Sequence, residues 1–207
     1  VLTLADVPEP EPGAGDLLVS VEAIGVNYRD VYEREGRGAA YGNAPLPLIV
    51  GAEAAGTVLR GAGEFAEGDR VAWAAAPGCY AEQVAVPVAN AVRVPDGTST
   101  ELAAAAVLQG MTAHNLSHST YPVQAGDVAV VHAAAGGVGL LLTQMIKARG
   151  GTVIATTSTD EKAELARAAG ADESIGYDGF GDFVNSYTDG AGAHVIYDAI
   201  GATTFEE

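Results

Sequence analysis

Val128-Ala129-Val130-Val131-His132-Ala133-Ala134-Ala135-Gly136-Gly137-Val138-Gly139-Leu140 is an apolar strand that runs into a turn built only of His, Ala and Gly. A helical pattern follows at once, Leu140-Leu141-Leu142-Thr143-Gln144-Met145-Ile146-Lys147-Ala148-Arg149, and closes on Gly150. Phosphate oxygens need several backbone N–H donors with no side chain in the way, and a helix N-terminus adds partial positive charge. Gly136, Gly137 and Gly139 permit that approach and let helix pack on strand. The spacing Ala134-x-Gly136-x-x-Gly139 is one substitution from the G-x-G-x-x-G dinucleotide fingerprint. A tight strand-to-helix turn needs glycines without any ligand too. What favours a nucleotide is the context, with a strand before the turn and a further strand, Thr152-Val153-Ile154-Ala155-Thr156, after the helix.

Working outward, strands near 128–132, 152–157, 173–176 and 194–198 alternate with helices, which predicts a parallel sheet. A full doubly wound dinucleotide domain has more strands than these four, so the sequence is expected to hold the first part of one. Strand 194–198 would then be an uncovered apolar edge. Ser99-Thr100-Glu101-Leu102 opens a helix with an acid in its first turn. Before it, the pattern is different. Leu17–Ile24, Ala54–Leu59, Asp69–Trp73 and Glu82–Val88 read as short strands, separated by Gly and Pro turns such as Glu9–Asp16, Gly61-Ala62-Gly63 and Glu67-Gly68-Asp69. The expected class is therefore α/β plus β: a β-rich domain over 1–102, then a dinucleotide-binding domain over 103–207.

Composition narrows the function. The 207 residues are 48% hydrophobic and 18% charged, which suits a folded globular chain. No apolar run is long enough to span a bilayer and no signal-peptide pattern opens the chain, so no membrane partner is expected. The one cysteine, Cys79, excludes an internal disulfide framework and a Cys-rich zinc site, and favours a cytoplasmic protein. No histidine lies near Cys79 in sequence, so it reads as a packed thiol rather than a nucleophile. A net charge of −17 repels nucleic acid and requires that a cofactor phosphate be met by local donors. A solvated acidic face explains that charge; a high-salt habitat would give the same excess.

The choice of nucleotide falls at the end of the second strand of the parallel sheet, where an NAD site usually carries Asp or Glu for the ribose 2′-OH. Here the tip reads Ala155-Thr156-Thr157-Ser158-Thr159-Asp160-Glu161-Lys162, and the acid position falls at Thr157. Asp160 competes for that place, but Ser158-x-x-Glu161 reads as a capping box that puts Asp160 in the first turn of a helix over 160–169. With no carboxylate at the tip and Lys162 close by, a 2′-phosphate is tolerated and NADPH is favoured; the alternative is that Lys162 is an ordinary surface lysine.

Five motifs stand in order along the chain: Gly25-Val26-Asn27-Tyr28-Arg29-Asp30-Val31-Tyr32, Gly51-Ala52-Glu53-Ala54-Ala55-Gly56, Gly68-Asp69-Arg70-Val71, Leu108-Gln109-Gly110-Met111-Thr112-Ala113 and His132–Gly139. Together they resemble the medium-chain reductase superfamily, in particular the zinc-free NADPH:quinone reductases of the zeta-crystallin-like group. The resemblance covers essentially all of the chain. It implies a GroES-like β-rich domain whose first strand precedes Val1, followed by a Rossmann domain that lacks its C-terminal part, with the active site in the cleft between them. The full-length parent is then expected to be a homodimer.

By the same resemblance the zinc ligands of the alcohol dehydrogenases fall at Asn27, Ala52 and Gln109, and alanine and amides are poor replacements for thiolate and imidazole. No metal is expected. His114 and His118 are four apart, but Asn115 stands where a zinc-binding H-E-x-x-H helix needs Glu. Without a Lewis acid, alcohol oxidation loses its means of stabilising an alkoxide, whereas an electrophilic quinone or enone can be reduced directly. The resemblance puts Asn27, Asp30 and Tyr32 beside the acceptor, with Asp30 and Tyr32 also open to bracing and packing roles. It puts Thr112, Ala135, Gly136, Gly137, Val138, Gly139, Ser158, Lys162 and Tyr177 around the cofactor, though Tyr177 could equally cover core. Asp198, at the end of the fourth parallel strand, reads as structural. The function so implied is NADPH-dependent quinone reduction. Its alternatives are an enoyl or alkenal reductase and, from another class, a non-catalytic nucleotide-binding or crystallin-like structural protein.

Overall fold

The structure, a computed structural model, describes residues 2–37 and 46–205. The chain divides into two compact units, Val1–Leu108 and Gln109–Glu207.

The first unit is built on strands β1 (Asp16–Ile24), β2 (Glu53–Arg60), β3 (Arg70–Ala74), β4 (Gln83–Pro87) and β5 (Ala91–Arg93), paired in the order β4-β1-β2-β3-β5. Every pairing is antiparallel. Alternation decides which side chains go inward. Leu17, Val19, Ala54, Val58, Val71, Trp73, Val84 and Val86 form one core with Phe65 and Cys79. Ala55 and Ala72, one residue out of phase, face the other way and pack on Ala103 and Ala104. Strand β2 is buried on both faces for that reason. Gly56 of β2 lies against β1, and a Cβ there would lie 1.9 Å from the Ser20 carbonyl oxygen.

Two helices begin in this unit, the first with little sequence signal and the second where the sequence places it. Helix α1 (Tyr28–Glu35) has no apolar stripe; its one buried residue is Asp30. It starts because the Asp30 carboxylate accepts the Asn27 backbone N–H at 2.9 Å, and it stops at Gly36, in the left-handed region with φ 64°. Helix α2 (Thr100–His114) is started by Ser99, whose Oγ accepts the Leu102 N–H at 3.2 Å. The helix carries the chain across the division at Leu108 and Gln109.

In the second unit, β6 (Val128–Val131), β7 (Thr152–Thr156), β8 (Glu173–Ile175) and β9 (Val195–Tyr197) form a parallel sheet in the order β8-β7-β6-β9. Helices α3 (Gly137–Ala148), α4 (Asp160–Ala168) and α5 (Phe180–Tyr187) alternate with the strands. One face of the sheet, with Ala129, Val131, Val153 and Ala155, packs on Leu142 and Ile146 of α3 and Ala166 of α4. Val130 and Ile154 turn to the other face and meet Phe180 and Val184 of α5. Helices on both faces explain why these strands read as continuous apolar runs. Among the described residues no helix is long and apolar enough to cross a membrane.

Candidate functional site

The residues singled out by sequence gather in two constellations, one in each unit. In the second unit the chain leaves β6 through Ala133, an alanine held at φ 50°, and Gly136 donates its N–H back to the Ala133 oxygen at 2.8 Å. Gly136 caps α3 without any side-chain hydrogen bond, so the N–H groups of Gly137, Val138 and Gly139 form a helix start with no intrahelical acceptor. The three glycines differ in what they do. At Gly139 a Cβ would lie 2.6 Å from both the Ala133 oxygen and Ala134 Cα, so helix-on-turn packing depends on it. At Gly136 and Gly137 the nearest atoms would be 3.1 Å away, and these two exposed glycines chiefly leave the surface bare.

Beside this turn a cavity of about 160 Å³ is lined by Ala133, Ala135, Gly136, Thr157, Lys162 and Tyr177. Four of the residues assigned to the cofactor by sequence thus come together here: Ala135, Gly136, Lys162 and Tyr177. Ser158 joins them indirectly, because its Oγ accepts from Lys162 Nζ at 2.9 Å. The capping box expected from Ser158 to Glu161 is corrected by one residue. The helix cap is Thr159, whose Oγ1 accepts the Lys162 N–H at 3.3 Å, and this leaves the Ser158 hydroxyl for the lysine side chain. Asp160 does lie in the first turn of α4. Thr157, at the tip of β7, is buried.

Beneath the turn, His132 holds the strand ends together: Nδ1 lies 2.7 Å from Thr156 Oγ1, the ring meets Phe180 edge-on at 4.7 Å, and Tyr177 is 5.9 Å away. A larger cavity of about 350 Å³ is lined by Val131, His132, Gly136, Val138, Tyr197 and Asp198, among others. Asp198 is a turn cap. Its carboxylate accepts from the Ile200 and Gly201 N–H groups at 2.7 and 2.9 Å and from the Thr204 hydroxyl at 2.9 Å. Burial works to raise its pKa, but those hydrogen bonds and the nearby His132 hold it below the ordinary carboxylate value. Thr112, exposed on α2, is not among the residues lining either cavity.

His114 ends α2 and His118 lies in the π-helical segment Asn115–Thr120. Their rings stack face to face at 4.1 Å, and Ser117 Oγ lies 2.9 Å from His118 Nδ1. Desolvation, then His114 and Arg149, hold the His118 pKa below its ordinary value. Among the described residues no group of three or more His, Cys, Asp or Glu side chains is arranged to hold a metal.

In the first unit, Asn27 and Asp30 meet directly at the start of α1. Asp30 Oδ2 accepts from the Asn27 N–H and from the Tyr80 hydroxyl at 3.1 Å, and the raised pKa of Tyr80, about 12, follows from its burial and from Asp30. Tyr32 packs edge-to-face on Tyr28, with ring centroids 5.4 Å apart. Sequence reasoning passed over Glu53. This carboxylate is fully buried at the start of β2 and accepts from Asn27 Nδ2 at 2.7 Å and from the Leu108 N–H at 2.5 Å. Its pKa is raised, mainly by burial and further by Asp30, while the hydrogen bonds from Asn27 and Leu108 pull the other way. The signal was an acid inside the apolar run Ala52-Glu53-Ala54-Ala55, since a buried charge needs partners. Cys79 is also fully buried. Its Sγ donates to the Ala76 oxygen at 3.1 Å and accepts from Trp73 Nε1 at 3.3 Å.

The first unit is thus a GroES-like β domain and the second a Rossmann-like parallel sheet with a glycine-rich helix start. Residues 13–96 match the alcohol dehydrogenase GroES-like domain, and residues 137–207 match the zinc-binding dehydrogenase family. The chain is 42% identical over 203 residues to a probable quinone oxidoreductase of Schizosaccharomyces pombe, covering 96% of this chain and 60% of that protein. It is 37% identical over 210 residues to a 2-haloacrylate reductase of a Burkholderia species, covering 98% of this chain and 63% of the other. Among solved structures, a mycobacterial protein complexed with NADPH superposes with a TM-score of 0.92 at 44% identity, over 98% of this chain and 64% of that one. The chain belongs to the medium-chain dehydrogenase/reductase superfamily. It spans about three fifths of the length of the curated relatives it matches.

Proposed function

We propose that this protein is an NADPH-dependent oxidoreductase that reduces a small electrophilic acceptor, a quinone in the first instance, without zinc. The observation that carries the reading is the cavity at the tip of β7, where Lys162 and Tyr177 stand beside Gly136 and, among the described residues, no carboxylate lines the wall. A carboxylate there would repel a 2′-phosphate; an ammonium held by Ser158 attracts it. The donor set fits the rest of the nucleotide. The Gly137, Val138 and Gly139 N–H groups suit a pyrophosphate, and the Tyr177 ring suits an adenine. When bound, NADPH supplies the hydride that reduces the acceptor.

Asn27, Asp30 and Tyr32 are assigned to the acceptor. Asn27 stands at the start of α1, Asp30 holds its backbone N–H, and Tyr32 with Tyr28 offers an aromatic surface to a planar ring. Zinc independence rests on residue chemistry. The amide nitrogen of Asn27 is committed to Gly25 and Glu53, and Ala52 has no donor atom. Thr112 is assigned to the cofactor on the motif alone. We place the protein in the cytoplasm, acting on small molecules and not on nucleic acid, with a homodimer for the full-length parent.

The test is an assay of NADPH oxidation with 1,4-benzoquinone and, separately, a crotonyl thioester, with and without a strong chelator. The proposal expects quinone turnover that the chelator leaves unchanged. Loss of turnover with the chelator contradicts zinc independence. A preference for the thioester would favour the enoyl-reductase reading, which gains weight from the likeness to a 2-haloacrylate reductase.

A further inference from the structure

We propose that Ala133 is a positioning residue of the cofactor cradle: an alanine held in the left-handed conformation, it keeps the turn over residues 133–136 in its binding shape before the cofactor arrives. The inference rests on the reading above that the cofactor's diphosphate meets the start of α3. His132 donates its N–H to the Tyr197 oxygen of β9 at 3.1 Å, and Ala134 donates its N–H to the Thr156 oxygen of β7 at 3.3 Å. Strands β9 and β7 flank β6 on opposite sides, so the chain swings from one neighbour to the other within a single residue. Ala133 makes that swing at φ 50°.

Glycine adopts this conformation freely and alanine does not, because its Cβ crowds the carbonyl oxygen that follows. The same unit uses glycine at other left-handed positions, Gly126, Gly150 and Gly170 among them. Among the described residues Ala75, Ala133 and Asp189 are the exceptions, and an aspartate tolerates this region better than an alanine does. Of these three, only Ala133 lines the two cavities described above, and it shares the wall of both with Gly136. The Ala133 oxygen accepts the Gly136 N–H at 2.8 Å and lies 2.6 Å from where a Gly139 Cβ would stand. One backbone atom therefore fixes both ends of the glycine run. Strain kept in a cavity wall holds a binding shape that a freer residue would leave part of the time. With glycine at 133 the turn gains conformations, and the cofactor must then order it.

The experiment compares Ala133→Gly with Ala75→Gly in the whole chain, Ala75 being a left-handed alanine of the first unit at φ 64°. Both variants should keep or raise the wild-type melting temperature, because each relieves a left-handed alanine. In calorimetric titrations Ala133→Gly should weaken NADPH and NADH alike, about threefold or more, and leave their ratio unchanged, since both carry the diphosphate. Ala75→Gly should weaken neither. Hydrogen exchange of the nucleotide-free chain adds a readout that needs no ligand: the Gly136 amide should exchange faster in Ala133→Gly and at the wild-type rate in Ala75→Gly. Unchanged affinities in Ala133→Gly overturn the proposal, as does a Gly136 amide whose exchange does not change. A loss of affinity that comes with a lower melting temperature also overturns it, because a turn needed only for folding would behave in that way. Equal affinities of the wild type for NADPH and NADH would remove the 2′-phosphate reading alone; a matched loss of both in Ala133→Gly would still support the proposal. A wild type that binds neither nucleotide would overturn it together with the reading it rests on.

Discussion

A thiol with no solvent around it keeps its proton, and Cys79 illustrates what that does to stability. Burial pushes its pKa up from 9.0 to about 11, against the hydrogen bond from Trp73, which lowers it. The folded state therefore prefers the neutral thiol more than the unfolded chain does. The stabilisation is fully present below pH about 9 and drains away as the pH rises towards about 11, because the unfolded thiol ionises first. Urea midpoints across that range should fall more steeply in the wild type than in Cys79→Ala, and native Cys79 should resist a thiol-reactive disulfide reagent at pH 8. Gly139 shows a different constraint at the same scale. Its missing Cβ would fall 2.6 Å from backbone atoms of Ala133 and Ala134, which have no rotamer to move. Gly139→Ala should cost roughly 2–4 kcal/mol in urea unfolding. A loss of only a few tenths would mean that the turn gives way easily.

Among the elements, α4 offers the cleanest comparison, since two neighbouring hydroxyls do different jobs. Thr159 caps the helix and Ser158 binds the Lys162 ammonium. Thr159→Ala should therefore cost about 1 kcal/mol of stability, seen as a lower melting temperature, while Ser158→Ala leaves the melt nearly unchanged. The one-residue error in reading this cap from sequence has a physical origin: both hydroxyl residues precede acids, and Glu161 satisfies the capping spacing from Ser158. Elsewhere legibility followed packing. Strands β1 to β4 show in the sequence because each sends alternate side chains into a core, and β6 and β7 show because both of their faces are covered. Helix α1 does not show, since Asp30 is all it buries, and β5 is only three residues long. The candidate site divides in the same way. The glycine turn is local and its spacing can be read directly. The links from Asn27 to Glu53 and from Asp30 to Tyr80 span 26 and 50 residues, and nothing local announces them.

For the whole molecule, the net charge of −17 sets the terms on which any anionic ligand is held. The general field opposes a cofactor carrying phosphates, so affinity must come from the helix start at Gly137–Gly139 and from Lys162, one of the two lysines in the chain. The central claim is that this local cradle, where no carboxylate among the described residues lines the wall at the tip of β7, selects a 2′-phosphate. Calorimetric titration of the 207-residue chain with NADPH and with NADH, repeated on Lys162→Ala, tests it most directly. The account predicts that NADPH binds about tenfold tighter or more, and that Lys162→Ala removes most of this preference by weakening NADPH and leaving NADH alone. Equal affinities in the wild type, or a preference that survives Lys162→Ala intact, would contradict it.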